Sequence, residues 1–152
     1  MSDSLAKEKI CVVGIGNSLR SDDGVGALVC KLLEAENIPG LEFIVTQQLD
    51  PAMADDLNSF KKVVFVDAAI DTNAVIFRQL EPAADIPSAS SHHINAAMLA
   101  SLAVKIYDSK TSFWLCSIGA HDFEMGENIS ESTIQNVLEA VTIIAKWARE
   151  ND

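Results

Sequence analysis

A glycine-rich segment separates the first apolar run of the chain from its first helical pattern. Residues 14–26 read GIGNSLRSDDGVG and follow the apolar residues 10–13. In open α/β proteins such strand-to-helix turns lie at the carboxyl ends of the strands, where ligands bind. Glycine-rich turns at this position usually receive anions, because backbone N–H groups and the helix N-terminus point at the ligand. The adjacent carboxylates Asp22 and Asp23 instead favour a cation at this turn.

The same segment lacks both common nucleotide-binding fingerprints. The dinucleotide pattern G-x-G-x-x-G requires a third glycine where this chain has Leu19. The phosphate-binding pattern G-x-x-x-x-G-K-S/T does not occur in the chain. We therefore do not expect a nucleotide at this turn.

Strand-like and helix-like patterns alternate along the chain, which is typical of an α/β domain. The 152 residues are enough for one domain with a full core, and no repeat or linker divides residues 1–152. Strands are predicted at 10–15, 41–46, 63–67 and 112–118, with an edge or antiparallel strand at 75–80. Helices are predicted from Val25 to near 37, at 51–58, at 96–107 and from Ser130 onward.

Two of the predicted helices carry stripes that indicate which face is buried. In the helix at 96–107 the stripe consists of Ala97, Met98, Ser101, Leu102 and Lys105. In the last helix it consists of Ile134, Val137, Leu138, Val141, Ile144, Ala145 and Ala148. We expect the stripe of the last helix to pack against the sheet, and we expect Ser130 to be the N-cap of that helix.

The composition limits the partners that this chain could have. A formal net charge of −11 either serves solubility alone or favours a basic peptide or metal-loaded partner over nucleic acid and anionic membranes. We find neither a signal-peptide core nor an apolar run long enough to cross a membrane.

The three cysteines, Cys11, Cys30 and Cys116, form no C-x-x-C pair and lie in apolar or helical patterns. They predict buried, reduced thiols and a cytoplasmic location.

Candidate metal ligands are distant in sequence but would converge in a parallel sheet. Asp23 lies in the first loop, and Asp67 ends the central apolar strand. His92 and His93 end a polar loop that precedes a helix. The carboxyl ends of parallel strands meet at one edge of the sheet, where such folds place their sites. Two carboxylates and one imidazole would suit nickel, zinc or manganese and leave positions for water or substrate.

Each of these residues also has a structural explanation. We expect Asp22 to cap the helix that starts at Gly24, and Asp23 could be a solvated charge in the first turn. Asp67 could be a loop carboxylate, and the histidine pair could lie on the surface. Only the joint pattern favours a metal.

At the first loop the sequence resembles the hydrogenase maturation endopeptidases, which process the large subunit of nickel-iron hydrogenases. The family pattern G-x-G-N-x-L-x-x-D-D/E-G-x-G matches residues 14–26 at every defined position. Shorter similarities are the strand that ends at Asp67, the segment Ser90-Ser91-His92 before a helix, and residues 126–130 before the last helix. By the order of its elements, the resemblance extends over the whole domain.

The resemblance implies a fold and a set of ligands. The fold is a three-layer α/β/α, phosphorylase/hydrolase-like arrangement around a mostly parallel, twisted five-stranded sheet with one antiparallel edge strand. The ligands are the second acid of the first motif, an acid after the third strand, and a histidine before the next long helix. In this chain they correspond to Asp23, Asp67 and His92, with His93 as the alternative to His92.

The loop after the last strand departs from the family pattern. Family members often have a Glu-Pro pair there, whereas this chain has Ala120-His121-Asp122. His121, Asp122 and Glu124 could form a second cation site, but we expect a solvated loop. The departure leaves the role of this loop open.

The resemblance also implies a reaction and a partner. Such an enzyme is a nickel-dependent endopeptidase, classed with the aspartic proteases, that activates its partner by protein processing. It removes the C-terminal extension of a nickel-iron hydrogenase large-subunit precursor after nickel insertion. The nickel arrives with the precursor, and another divalent metal could take its place. Asp23, Asp67 and His92 would be the catalytic and metal-recognising residues of a cytoplasmic monomer.

Two other functions fit parts of the sequence. A magnesium-binding receiver module also places an acid pair near the first strand and an aspartate at the end of the third. Against it, no lysine ends the strand at 112–118, and the acid pair comes late after the first strand. A non-catalytic nickel-sensing assembly partner would bind the loaded precursor without cutting it.

Overall fold

Strands and helices alternate along the chain, as the sequence predicts. The structure is a computed structural model that describes residues 9–82 and 94–150. The strands are β1 (Ile10–Ile15), β2 (Leu41–Thr46), β3 (Lys62–Ala69), β4 (Val75–Gln79) and β5 (Ser112–Gly119). The helices are α1 (Val25–Glu34), α2 (Met53–Leu57), α3 (Ala96–Tyr107) and α4 (Glu131–Arg149), and a 3-10 turn at Ser21–Gly24 precedes α1.

The strands form one five-stranded sheet in the order β2-β1-β3-β5-β4. The pairs β1–β2, β1–β3 and β3–β5 are parallel, and β4 pairs antiparallel with β5 at the edge. The fold class predicted from the sequence, including its antiparallel edge strand, is therefore confirmed. A receiver module requires a doubly wound parallel sheet, so the antiparallel β4 argues against that hypothesis.

Helices cover both faces of the sheet. α1 and α4 pack together over one face, and α2 and α3 pack together over the other. Side chains of β1 alternate between the two cores, because Val12 belongs to the α1/α4 side and Val13 to the α2/α3 side. Strands that are buried on both faces are apolar throughout, which explains the continuous apolar runs of β1 and β3.

The buried face of α4 differs from the predicted stripe at its first turns. Ile134 is 36% exposed and Leu138 is 49% exposed, whereas Thr133 and Ala140 are fully buried. The other predicted positions are buried, namely Val137, Val141, Ile144, Ala145 and Ala148. The helix turns Thr133 toward the first loop because the Thr133 hydroxyl donates a hydrogen bond to Asp22 there.

The buried face of α3 also differs from the predicted stripe. Its buried residues are Ala96, Leu99, Ala100, Ser101 and Ala103, so that Ser101 alone of the predicted positions is fully buried. Three of these five residues are alanines, which allow the helix to approach α2 closely. The larger Met98 and Leu102 remain only partly buried.

The three cysteines are free and buried, as predicted. Cys11 lies on β1, Cys30 on α1 and Cys116 on β5. Over residues 9–82 and 94–150, no helix is both long and apolar enough to cross a membrane.

Candidate functional site

The glycine-rich segment turns back on itself, so that Asp23 lies beside the end of β1. Gly16 has a φ of +133°, a conformation that glycine adopts far more readily than other residues. A Cβ atom on Gly16 would overlap the backbone oxygen of Asp23 and lie 3.2 Å from its carboxylate. The backbone N–H of Asn17 donates a 2.8 Å hydrogen bond to Oδ2 of Asp23. The glycine therefore lets the Asp23 carboxylate lie against the turn.

A second pair of glycines brings β1 and α1 into direct contact. A Cβ atom on Gly14 would overlap the backbone oxygen of Gly26. A Cβ atom on Gly26 would lie 2.5 Å from the backbone nitrogen of Ile15. This close approach places the beginning of α1, and the 3-10 turn before it, at the carboxyl edge of the sheet.

Asp67 lies on the central strand β3, two residues before the strand ends, and opposite Ser117 of β5. Burial raises the pKa of its carboxyl to about 6, and the negative charge of Asp23 adds to this rise. A hydrogen bond from the N–H of Ala68 opposes the shift without cancelling it. The 3-10 turn that bears Asp23 also packs against β3, so Asp23 and Asp67 lie on neighbouring elements at this edge of the sheet.

The imidazole assigned to this site stays a prediction, because His92 and His93 lie outside the described residues. Among the residues that the structure does describe, no group of three His, Cys, Asp or Glu side chains is arranged to hold a metal ion. Of the three predicted ligands, the structure therefore describes Asp23 and Asp67 only.

Asp22 does not cap the helix that follows it, contrary to the prediction. The N-cap of α1 is Gly24, which has no side chain to bond to the first N–H groups of that helix. The Asp22 carboxylate is instead fully buried and accepts hydrogen bonds from the loop after β5 and the beginning of α4. The donors, at 2.7–2.9 Å, are the backbone N–H groups of His121, Asp122 and Ser130 and the hydroxyls of Ser130 and Thr133.

These hydrogen bonds keep Asp22 ionised inside the protein. Burial by itself would raise the pKa of the Asp22 carboxyl. The hydrogen bonds from His121, Asp122, Ser130 and Thr133 outweigh burial and hold this pKa well below its usual range. A negative charge at the N-terminus of α4 is also favoured by the helix dipole. Asp22 thus stabilises a helix that begins more than 100 residues later, since Ser130 lies 108 positions away.

Backbone hydrogen bonds also join the first loop to the loop after β5. The N–H of Ser21 donates to the oxygen of Gly126, and the N–H of Asp22 donates to the oxygen of Asp122, both at 2.7 Å. In return, the N–H of Gly126 donates to the oxygen of Leu19 at 2.8 Å. The loop after β5, whose role the sequence leaves open, therefore supports the first loop.

The three residues considered for a second cation site serve this loop instead. His121 is exposed and uses its backbone N–H to bind Asp22. Oδ1 of Asp122 accepts a 3.0 Å hydrogen bond from the N–H of Glu124. These residues form no metal-binding group with any other described residue.

The sequence predicts Ser130 only as an N-cap and does not single out Thr133. Ser130 is the N-cap of α4, but its hydroxyl bonds to Asp22 rather than to the helix backbone. The spacing Ser-x-x-Thr at the beginning of a helix places two hydroxyls on the same turn. That spacing is the one signal in the sequence that indicates a buried acceptor at this position.

Similarity to known proteins is found at the level of structure. No protein-family model matches the sequence, and no curated protein matches it significantly. The hydrogenase maturating endopeptidase HybD from E. coli superposes with a TM-score of 0.72 at 15% identity, over 93% of each chain. The NiFe hydrogenase maturation protease HycI from Thermococcus kodakarensis KOD1 superposes with a TM-score of 0.71 at 23% identity, over 94% of each chain.

This chain has the fold of the hydrogenase maturation endopeptidases. A hydrogenase 2 maturation peptidase from a Thaumarchaeota archaeon has the same fold, with a TM-score of 0.67, 20% identity, and coverage of 91% of this chain and 97% of the other. The resemblance that residues 14–26 indicate is therefore confirmed for the fold of the chain. In this maturation-endopeptidase fold, Asp23 and Asp67 share the carboxyl edge of the sheet.

Proposed function

We propose that this chain is an endopeptidase that removes the C-terminal extension of a nickel-iron hydrogenase large-subunit precursor after nickel insertion. One observation carries the proposal: the 3-10 turn that bears Asp23 packs against β3, which bears Asp67, at the carboxyl edge of a sheet that has the maturation-endopeptidase fold. The match of residues 14–26 to the family pattern supports the same assignment. The aspartic-type class that the resemblance implies rests on these two carboxylates.

Nickel enters the site as part of the substrate in this proposal. We assign its recognition to Asp23, Asp67 and His92, with His93 as the alternative to His92. Two carboxylates and one imidazole are an incomplete ligand set, which suits an ion already held by cysteines of the precursor. A cation beside Asp67 would also offset the burial and the repulsion from Asp23 that raise the pKa of this carboxyl.

Two routes to hydrolysis are compatible with these residues. The metal polarises the scissile carbonyl, or it activates a water molecule that attacks this carbonyl. In the second route a carboxylate accepts the proton of the water. Asp67 suits that role because a pKa of about 6 lies near the operating pH of a general base.

The proposed partner is a protein segment, and the proposed compartment is the cytoplasm. The net charge of −11 favours a basic protein surface over nucleic acid or an anionic membrane. The free, buried thiols are typical of a reducing compartment. We further propose that the chain acts as a monomer on one precursor at a time.

Intact-mass measurement of the precursor tests the proposal. Purified protein is incubated with a nickel-loaded and a nickel-free precursor. We expect the mass of the C-terminal extension to be lost from the nickel-loaded precursor alone. If the loaded precursor binds and keeps its mass, the chain is a nickel-sensing assembly partner and the endopeptidase proposal fails.

Substitutions test the assignment of the site within the same assay. Asp23→Asn, Asp67→Asn and His92→Ala are each expected to slow cleavage by about 100-fold or more, as expected for loss of a positioned acid–base or ligand group. Asp71→Asn is the matched control, because Asp71 is an exposed carboxylate that follows β3 at the same edge of the sheet. Wild-type rates in all three site variants would show that the site is assigned wrongly.

A further inference from the structure

The adjacent carboxylates Asp22 and Asp23 point to different parts of the molecule. Asp22 is fully buried and bonds to the loop after β5 and to the beginning of α4. Asp23 is partly exposed, accepts the N–H of Asn17, and acts electrostatically on Asp67. Both residues belong to the 3-10 turn Ser21–Gly24. The orientation of Asp22 therefore constrains the backbone from which Asp23 projects.

The backbone of this turn needs an anchor. Ser21, directly before Asp22, has a φ of +48°, which is uncommon for a residue other than glycine. Such conformations persist only where the surrounding structure holds them. The residue before the turn, Arg20, makes no side-chain hydrogen bond to the turn. Ser21 is itself held to the loop after β5, because its N–H donates to the oxygen of Gly126 and its hydroxyl donates to the oxygen of Glu124. The Asp22 carboxylate accepts five further hydrogen bonds and is the one side chain of the turn that also bonds to the beginning of α4 among the described residues.

We propose that Asp22 is a positioning residue for Asp23. Its hydrogen bonds to the loop after β5 and to Ser130 and Thr133 hold the 3-10 turn in the conformation that presents Asp23 to Asp67. Asp22 has no exposed surface and cannot touch a substrate, so it acts only through Asp23. The beginning of α4 is consequently part of the support of the site.

Amide hydrogen exchange of Asn17 measures the position of Asp23 without a substrate. The N–H of Asn17 is protected by the Asp23 carboxylate, which accepts it at 2.8 Å. In Asp22→Asn we expect this amide to exchange on the order of ten-fold faster or more, and its NMR resonance to move, because the turn is released. Thr133→Val removes one donor of the five and should give a smaller change in the same direction. Wild-type protection of Asn17 in Asp22→Asn would overturn the inference.

A control variant separates positioning from general loss of stability. Ile144→Val lowers stability from within α4, because Ile144 is fully buried in the core that α4 shares with α1. It should leave the exchange and the resonance of Asn17 unchanged. Equal acceleration in Ile144→Val would show that Asn17 reports only stability, which would overturn the inference. If Asp22→Asn does not fold, Thr133→Val decides by the same measurement.

Kinetics give a second measurement, and this part of the inference rests on the proposed function. Misplacement of a reacting group by about 1 Å can slow a reaction by about 100-fold. We therefore expect Asp22→Asn to slow precursor cleavage by about 10- to 100-fold. The loss should be shared between kcat and KM in the same proportion as the loss in Asp23→Asn. A change in KM alone, or wild-type kinetics, would overturn the inference. If the wild-type chain cleaves no precursor, the proposed function fails, and the exchange of Asn17 still decides the role of Asp22.

Discussion

Burial, together with the negative charge of Asp23, raises the pKa of the Asp67 carboxyl to about 6. At neutral pH the folded protein therefore holds an ionised, partly buried Asp67 near a second carboxylate. This arrangement lowers the stability of the folded state relative to an uncharged side chain. Unfavourable charge arrangements of this kind cluster at functional sites.

The first prediction is that Asp67→Asn stabilises the unbound protein at neutral pH. One unit of pKa shift corresponds to about 1.4 kcal/mol, and solvent screening at a partly exposed group reduces the effect, so we expect a gain of about 1–2 kcal/mol. The gain should depend on pH in a defined direction. Between about pH 4 and 6, Asp67 binds more protons in the folded state than in the unfolded state, so wild-type stability falls as the pH rises through this window.

Urea denaturation of wild type and Asp67→Asn between pH 4 and 8 measures this effect. The difference in the free energy of unfolding should be near zero at pH 4, grow up to about pH 6 and remain constant above it. Asp71→Asn is the control, since Asp71 is exposed, and should show no such pH-dependent gain. A variant that is less stable than wild type at pH 7 would contradict the prediction.

The second prediction is that Asp22→Asn destabilises the fold. The amide carries only one oxygen, so it leaves buried N–H and hydroxyl donors of the loop after β5 and of α4 without an acceptor. Each buried donor left without its acceptor costs about 1–3 kcal/mol, and because several are affected we expect a total loss of about 3–5 kcal/mol. Because the pKa of Asp22 is held low, its stabilisation is present above the ordinary carboxyl pKa and is lost as the pH falls below it.

Acid unfolding followed by circular dichroism checks the second prediction. Wild type should lose stability more steeply than Asp22→Asn as the pH falls below about 4. Thr133→Val, which keeps the carboxylate and removes one donor, should give an intermediate loss at neutral pH. Equal stability of wild type and Asp22→Asn at pH 7 would show that the hydrogen bonds of Asp22 do not stabilise the fold.

Local sequence patterns are sufficient to predict most of the fold. They also predict that the candidate site lies at one edge of the sheet. The apolar runs of β1 and β3 are continuous because both faces of these strands are buried. The edge strand β4 alternates instead, with Ile76 exposed and Val75 and Phe77 packed against the core. Asp23 follows β1 in the sequence, and Asp67 lies near the end of β3. Because parallel strands end at the same edge of a sheet, these two positions predict that the two aspartates lie at that edge.

Contacts between distant segments could not be predicted in the same way. The partners of Asp22 lie 99 to 111 residues away, and no local pattern identifies them. The rotation of α4 follows from one of these contacts, because a buried Thr133 bonded to Asp22 leaves Ile134 and Leu138 exposed. Hydrophobic periodicity alone predicts that Ile134 and Leu138 are buried and that Thr133 is exposed, because it treats threonine as polar and the other two residues as core.

The third prediction is that the cysteines take no part in the reaction. Burial raises the pKa of Cys11, Cys30 and Cys116 to about 12, so almost no reactive thiolate exists at neutral pH. A thiol reagent should label none of the three in the native protein and all three in denaturant. Cleavage of the precursor should continue after treatment with iodoacetamide. Ser18→Cys places a thiol at an exposed position and serves as the positive control for labelling.

The last prediction concerns the contact between β1 and α1. An added Cβ atom on Gly26 would lie 2.5 Å from the backbone nitrogen of Ile15 and 2.8 Å from its oxygen, so the helix must move away from the strand. Overpacking of this kind costs about 1–3 kcal/mol, of which the better helix propensity of alanine offsets up to about 1 kcal/mol. Gly26→Ala should therefore lower the free energy of unfolding, measured in urea, by about 1–2 kcal/mol. Gly24→Ala is the matched control, because its Cβ atom would meet nothing closer than Cα of Ser18 at 3.1 Å, a milder contact than those of Gly26. A smaller loss in Gly26→Ala than in Gly24→Ala would mean that the close approach of β1 and α1 does not limit the size of these residues.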